Sequence, residues 1–369
     1  MPHHLLRVAQ VPLQRPGATS YLTLLATALS TAGVEVTSAD TAALWRLGRG
    51  RDVDLVHLHW LEFIAPSAPG GAGGFARTVI RHGRLVALLA WLRIRGVKLV
   101  WTVHNLRPHE PVRPRLESLL SRAVSRICHT LVAHSEYAAA RIRAQWGHRV
   151  NVTVIPHGNY VGLFGAPTGT RAELRRSLGI PDDAYAFLAF GQVRPYKRLT
   201  DLVSGFRRLD APDVRLIIAG KPVVAEEADH LRRAAADDMR VVLDLREVPD
   251  DEVSGLHLCA DAAVLAYRDV FSSGALLLAL SFGLPVVAPD VGTAAELAGD
   301  GAGELFPEGA AGLTAALEAM RDSDHAVRAA AASAVARRYG WDRVGTETAE
   351  LYRELTASGP VQASAADGR

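Results

Sequence analysis

The strongest constraint on this chain is a repeating pattern: short apolar runs that do not alternate with polar residues, each followed by helical periodicity. In the first half, LLRVAQV (5–11) precedes SYLTLLATALSTAG, and DLVHLH (54–59) precedes FARTVIRHGRLVALLAWLRIRG. KLVWTVH (98–104) precedes PRLESLLSRAVSRI, TLVAHS (130–135) precedes EYAAARIRAQWG, and NVTVIPHG (151–158) closes the series. AYAFLAFG (184–191), VRLIIAGK (214–221), MRVVLDL (239–245), DAAVLAY (261–267) and LPVVAPD (284–290) repeat the pattern. Non-alternating strands are buried on both faces, and strand–helix–strand units join parallel neighbours. The fold class this predicts is α/β, as two Rossmann-like doubly wound domains facing a cleft. A chain of 369 residues is also long for one core.

The polar, Gly- and Pro-containing stretch 158–184 separates the two series. It predicts a first domain over 1–166 and a second over 167–340. A helix over 341–357, with its stripe of Trp341, Val344, Tyr352 and Leu355, is expected to return to the first domain, and 358–369 reads as a disordered tail.

The net charge of +2 conceals an asymmetry, because residues 1–166 hold 19 basic and 8 acidic side chains and the remainder holds 22 and 31. Residues 75–127 carry 11 Lys or Arg and two Glu, interleaved with Phe75, Leu85, Leu88, Leu89, Trp91 and Leu92. Such a surface suits anionic lipid headgroups or a diphosphate-linked lipid acceptor, while the charged outer face of a crossover helix reads the same way. Nucleic acid is not implied, since no binding module or series of stacking aromatics accompanies the charge. Arg84 to Val103 is no membrane span: Arg93, Arg95 and Lys98 would each cost about 2.5–3.5 kcal/mol near mid-bilayer. Only Cys128 and Cys259 are present, and the N-terminal residues show no long apolar run of a secretory signal. Both features point to a cytoplasmic chain with buried thiols, able to sit peripherally at the inner face of the membrane.

Ligands of doubly wound sheets bind beyond the carboxyl ends of the strands. In FGQVRPYKRLTDLV (190–203) a strand ends at Phe190, Gly191 permits a turn, and Arg194 and Lys197 precede a helix. Two cations at a helix N-terminus suit a diphosphate, although a solvated helix start has the same composition. Lysine is rare in this Arg-rich chain, only Lys98, Lys197 and Lys221, and the last two fall in post-strand loops where a compact point charge is useful. In YRDVFSSGALLLALSFGLPVVAPD (267–290), Ser272, Ser273 and Gly274 open an apolar helix after a strand. Their backbone N–H groups and hydroxyls can take phosphate oxygens, or simply cap a core helix.

These segments, with VPDDEV (248–253), resemble the donor domain of GT-B glycosyltransferases of the family 4 clan. RPYK, YRDVFSSGALLLALSFG, HLHW and VIPHGNY are most similar to bacterial exopolysaccharide mannosyltransferases of the xanthan β-mannosyltransferase type. The resemblance implies a nucleotide-diphosphate-sugar donor held by the second domain, an acceptor held by the first, and no metal or other cofactor. It assigns Arg194 and Lys197 to the donor diphosphate, Ser272, Ser273 and Gly274 to the phosphate-contacting helix start, and the loop from Arg246 through Val248 to Pro249 to the nucleobase. Lys221 is a further donor-binding candidate. Gly17, after the first strand, matches a close approach of backbone to phosphate, or is a plain turn glycine. The family 4 pattern has two Glu eight positions apart, at places held here by Val270 and Leu278; Asp269, one position early, is the candidate replacement for the sugar-binding Glu.

In the first domain the resemblance makes His104 a donor-sugar contact. His104 and Glu62, each after a strand, are candidate catalytic residues, since an inverting transfer needs a general base tuned toward neutral pH. Asn105, His109, Glu110 and His59 lie nearby in sequence, while His57, His134 and His157 read as structural. The expected function is transfer of a hexosyl group, mannose by resemblance, from a nucleotide-diphosphate sugar to a hydroxyl of a glycan, glycolipid or small-molecule acceptor. The alternatives are a UDP-sugar transferase acting on a soluble natural product and a catalytically silent nucleotide-sugar-binding protein.

Overall fold

The computed structural model describes residues 5–13, 21–50, 52–108, 110–267, 270–272, 274–307 and 309–357. Gly17, His109, Asp269, Ser273 and the tail 358–369 fall outside the described residues. The chain divides into two compact units, Met1–Gly158 with Trp341–Arg369, and Asn159–Gly340.

Unit 1 runs β1 (Leu6–Val11), α1 (Tyr21–Thr31), β2 (Val34–Ser38), α2 (Thr41–Gly50), β3 (Leu55–Leu58), α3 (Leu61–Ile64), α4 (Ala72–Ile94), β4 (Lys98–Thr102), α5 (Pro114–Ile127), β5 (Thr130–Ala133), α6 (Glu136–Trp146) and β6 (Val152–Val154). Its strands form one six-stranded sheet in the order β2-β1-β3-β4-β5-β6, every pair parallel. β3, β4 and β5 are apolar on both faces because helices cover both, and all of Leu55, Val56, Leu58, Leu99, Val100, Leu131 and Val132 are buried.

Unit 2 runs α7 (Arg171–Ser177), β7 (Tyr185–Phe190), a 3₁₀ turn (Pro195–Lys197), α8 (Leu199–Phe206), β8 (Val214–Ala219), α9 (Ala225–Ala235), β9 (Val241–Asp244) and α10 (Asp250–Cys259). It continues with β10 (Ala262–Val264), α11 (Gly274–Ser281), β11 (Val286–Pro289), α12 (Thr293–Ala298), β12 (Gly303–Phe306), α13 (Ala310–Asp322) and α14 (His325–Arg337). The second six-stranded sheet is also parallel, in the order β12-β11-β10-β7-β8-β9. These are two doubly wound α/β units. α15 (Trp341–Ala357) packs along α1 of unit 1, burying Val344, Ala349, Leu351 and Tyr352 in a core shared with Leu22, Leu25 and Leu29.

Two strands escape the apolar-run pattern. β2 and β12 lie at sheet edges, and there burial alternates or is confined to one end, so their sequences VEVTS and GELF lack a continuous apolar run. Residues 159–166, assigned above to the first domain, cluster with unit 2. Tertiary hydrogen bonds explain this: Asn159 N–H donates to the Tyr339 carbonyl, Asn159 Nδ2 to that of Ala336, and Tyr160 N–H to Ser281 Oγ.

Candidate functional site

The order of strands reverses in unit 2 between β7 and β10: β8 and β9 follow on one side of β7, β11 and β12 on the other side of β10. A doubly wound sheet opens its ligand crevice at such a point, outside the carboxyl ends of the two strands. The loop after β7 carries Arg194 and Lys197, and the loop after β10 leads to Ser272 and the first turn of α11.

Lys197 is 6% exposed, and its ammonium donates to the Phe190 carbonyl at 3.1 Å and lies 5.7 Å from the centre of the Tyr267 ring. Burial, with the Arg194 guanidinium adding repulsion, pulls its pKa down to about 8. A cation held with one neutral acceptor gains from an arriving anion. The backbone here is built around that ammonium. Gly191 has φ +100°, and a Cβ on it would stand 2.9 Å from Lys197 Nζ. The loop is clamped to its neighbour, since Val193 N–H donates to the Lys221 carbonyl and Val223 N–H to that of Val193. Arg194 is half-buried and lies against Gln192 Oε1 at 2.9 and 3.1 Å.

The other predicted donor residues are arranged differently. Lys221 Nζ is engaged by Glu247 Oε2 at 2.9 Å in an exposed pair. Arg246 is bound by Asp244 at 2.9 Å and by Glu252, so both cations reach an anion only by leaving a carboxylate. Val248 packs its side chain on the unit 2 core. Val270 is buried with its carbonyl accepting from Thr293 N–H, and Leu278 is buried in α11, so neither position offers a carboxylate.

In unit 1 the strand order reverses between β1 and β3. A side-chain cluster that single-residue reading missed occupies this end of the sheet. His57 in β3, His59 after it, His104 after β4, His134 after β5 and His157 after β6 gather around Tyr21, whose ring centre lies 4.9–5.6 Å from those of His59, His104, His134 and His157. His59 Nδ1 and His104 Nε2 share a hydrogen bond of 3.1 Å, and Trp60 stacks on His104 at 4.1 Å. His57 bonds Thr102 Oγ1 at 2.7 Å and the Tyr352 hydroxyl at 2.5 Å, tying α15 to the sheet. Burial pulls His57 and His134 down to about 3 and His157 to about 4. His59 and His104 fall well below the usual histidine range, from burial first and then the other imidazoles. The cluster is therefore neutral at physiological pH.

Glu62, half-buried in α3, lines a separate cavity of about 40 Å³ with Ser67, His82, Asn105 and Glu117. Burial raises its pKa, and Glu117 adds to the rise. Among the described residues no group of three or more His, Cys, Asp or Glu is arranged to hold a metal ion. Both thiols are buried and free, with burial pushing Cys128 up to about 12.

Residues 170–334 match the glycosyl transferases group 1 family. GDP-mannose:glycolipid 4-beta-D-mannosyltransferase of Xanthomonas campestris pv. campestris is 30% identical over 305 residues, covering 82% of this chain and 80% of that protein. A D-inositol 3-phosphate glycosyltransferase of Xylanimonas cellulosilytica is 26% identical, covering 78% and 74%. Among solved structures, sucrose-phosphate synthase from Thermosynechococcus elongatus has a TM-score of 0.71 at 17% identity, covering 95% of this chain and 99% of that one. HepE of Anabaena in complex with UDP and glucose has a TM-score of 0.71 at 16% identity, covering 95% and 100%. The fold is GT-B, and the chain belongs to the group 1 glycosyl transferases. It is a nucleotide-sugar-dependent hexosyltransferase.

Proposed function

We propose that the chain transfers a mannosyl group from GDP-mannose to a hydroxyl of a lipid-linked glycan, as in exopolysaccharide assembly. The Xanthomonas relative's name supports donor and acceptor class. The observation that supports the reading is the strand order of unit 2, which sends the β7 loop with Arg194 and buried Lys197 and the chain from β10 to α11 out at the same switch point. Negative charge develops on the leaving diphosphate as the anomeric C–O bond breaks, and cations preorganised there lower that barrier. They supply the charge that a divalent metal otherwise would, so the reaction proceeds without one. As the acceptor oxygen bonds to the anomeric carbon, its proton passes to a base. Glu62, with its raised pKa, is the candidate in unit 1 and Asp269 the candidate in unit 2, whereas His104, which burial holds well below the neutral range expected of a base, is left as a sugar contact.

The lipid-linked acceptor fits the surface of α4. Its buried side is Gly74, Thr78, His82, Leu85, Leu88, Leu89 and Leu92, yet helical periodicity places exposed Val79, Ile80 and Ile94 on the opposite side, with Arg77 and Arg84 beside Ile80. An apolar stripe flanked by arginines, on a helix without a carboxylate, suits peripheral contact with an anionic bilayer. No helix among the described residues is long and apolar enough to cross a membrane.

Two assays test this reading. GDP release from GDP-mannose is expected in the presence of a lipid-linked oligosaccharide and in EDTA; release only from UDP-sugars would replace the donor, and release from no donor would end the reading. Flotation with phosphatidylglycerol vesicles is expected at low salt and not with phosphatidylcholine, and Ile80→Asp should reduce it. Indifference to lipid charge would leave α4 as a solvated face.

A further inference from the structure

Tyr160 belongs to the segment after β6, far in sequence from the β7 loop and from the start of α11, yet it clusters with unit 2. Its backbone N–H donates to Ser281 Oγ at 2.9 Å, and that hydroxyl donates to the Leu277 carbonyl at 2.6 Å, so its main chain is fixed to the last turn of α11. The neighbouring Asn159 is fixed from both sides, its N–H on the Tyr339 carbonyl and its Nδ2 on that of Ala336. From this anchor the phenol packs on the unit 2 core and reaches the other end of α11, where a Cβ on Gly274 would stand 2.9 Å from the Tyr160 hydroxyl. Position 274 is a glycine because that hydroxyl occupies the space beside the first turn.

We infer that Tyr160 is a donor-site residue whose hydroxyl donates a hydrogen bond to the diphosphate of the bound nucleotide sugar at the start of α11. This rests on the reading of unit 2 as the donor site. It adds a neutral donor from a third chain segment to the cations of the β7 loop, at the helix end where backbone N–H groups already favour an anion. Burial raises the phenol pKa to about 12, so the group keeps its proton throughout the working range and never opposes the diphosphate with a phenolate charge. A rigid phenol also selects by position: it serves a ligand with a phosphoryl group at the helix start and gives nothing to a nucleoside that lacks one.

The test is calorimetric titration of GDP and of guanosine into the full chain, with UDP and uridine in parallel. Tyr160→Phe is expected to weaken diphosphate binding about tenfold, the value of one hydrogen bond to a charged group. Nucleoside binding and Tm should stay unchanged. Gly274→Ala, which drives a methyl into the hydroxyl, is expected to cause the same selective loss and serves as the second variant if the first folds poorly. Unchanged diphosphate affinity in both variants, or equal weakening of nucleoside and diphosphate with a falling Tm, would reduce Tyr160 to a support for α11 and overturn the inference. Lys197→Ala separates the two levels. If it too leaves diphosphate affinity intact, the donor-site reading fails, whereas loss there without loss in Tyr160→Phe removes this inference alone.

Discussion

Units 1 and 2 put opposite chemistries at the same topological place. Beyond β7 and β10 of unit 2 stand a lysine buried with a carbonyl for a partner, an arginine beside it and a helix N-terminus. At the carboxyl ends of β3 to β6 of unit 1 stand five imidazoles, four of them buried and His157 half-buried, with two tryptophans and two tyrosines. The first end holds a charge against desolvation, an arrangement that an arriving anion would stabilise. The second end is kept neutral by the same desolvation, to which the neighbouring imidazoles add at His59 and His104. Parallel sheets supply the position, and the residues just after each strand set its charge and polarity. The proposed diphosphate site belongs to the first kind of end and the proposed hydroxyl acceptor site to the second.

The largest expected effect lies on the cationic side. Lys197→Ala should lower kcat/KM for the donor by about 10²–10³-fold, as for removal of one preorganised charge at a transition state, measured as nucleoside diphosphate release. A fall below threefold would place the diphosphate elsewhere.

The neutral side should reveal itself in acid. His57 has a pKa of about 3 in the folded protein against an ordinary 6.5, so between these values the unfolded chain binds a proton that the folded chain does not. Stability is then fully present above pH 6.5 and is lost as pH falls toward 3. At pH 4.5 each such histidine costs about 2–3 kcal/mol before coupling among them. Thermal unfolding followed from pH 7.5 to 4.5 should show a steep fall in Tm that His57→Gln makes shallower, and a flat profile would mean that the imidazoles are already charged or solvated.

Alkaline pH acts on the other unit with a smaller effect. Lys197 in the free enzyme loses its proton above about pH 8, so donor affinity should decline from there by up to tenfold per pH unit. GDP titrations at pH 7, 8 and 9 would show this onset, and constant affinity would mean that Lys197 does not supply the charge. Lys221→Ala marks the lower end of the scale. Its ammonium is already engaged by Glu247 at an exposed site, so turnover should change less than threefold; a loss comparable to that of Lys197→Ala would show that the pair opens onto the donor.

Much of this contrast is legible in the sequence, though unevenly. Buried parallel strands announce themselves as apolar runs, and the edge strands β2 and β12 do not because half their residues face solvent. The start of unit 2 is hidden because long-range bonds from Asn159 and Tyr160 to Ala336, Tyr339 and Ser281 decide which side those residues join. Arg194 and Lys197 stand out as cations just after a strand, yet nothing local says that Lys221 and Arg246 meet carboxylates at Glu247, Asp244 and Glu252. The imidazole cluster had a signal that taking each histidine alone discards. A histidine follows the apolar run at His59, His104, His134 and His157, and parallel pairing brings those four positions side by side.

The central claim is that Arg194 and Lys197 form the diphosphate seat of unit 2. Isothermal titration of GDP into the wild-type chain and into the Arg194→Ala/Lys197→Ala double variant tests it most directly. Saturable GDP binding that becomes undetectable in a double variant with unchanged Tm is the predicted result; equal affinity in the two proteins would contradict it.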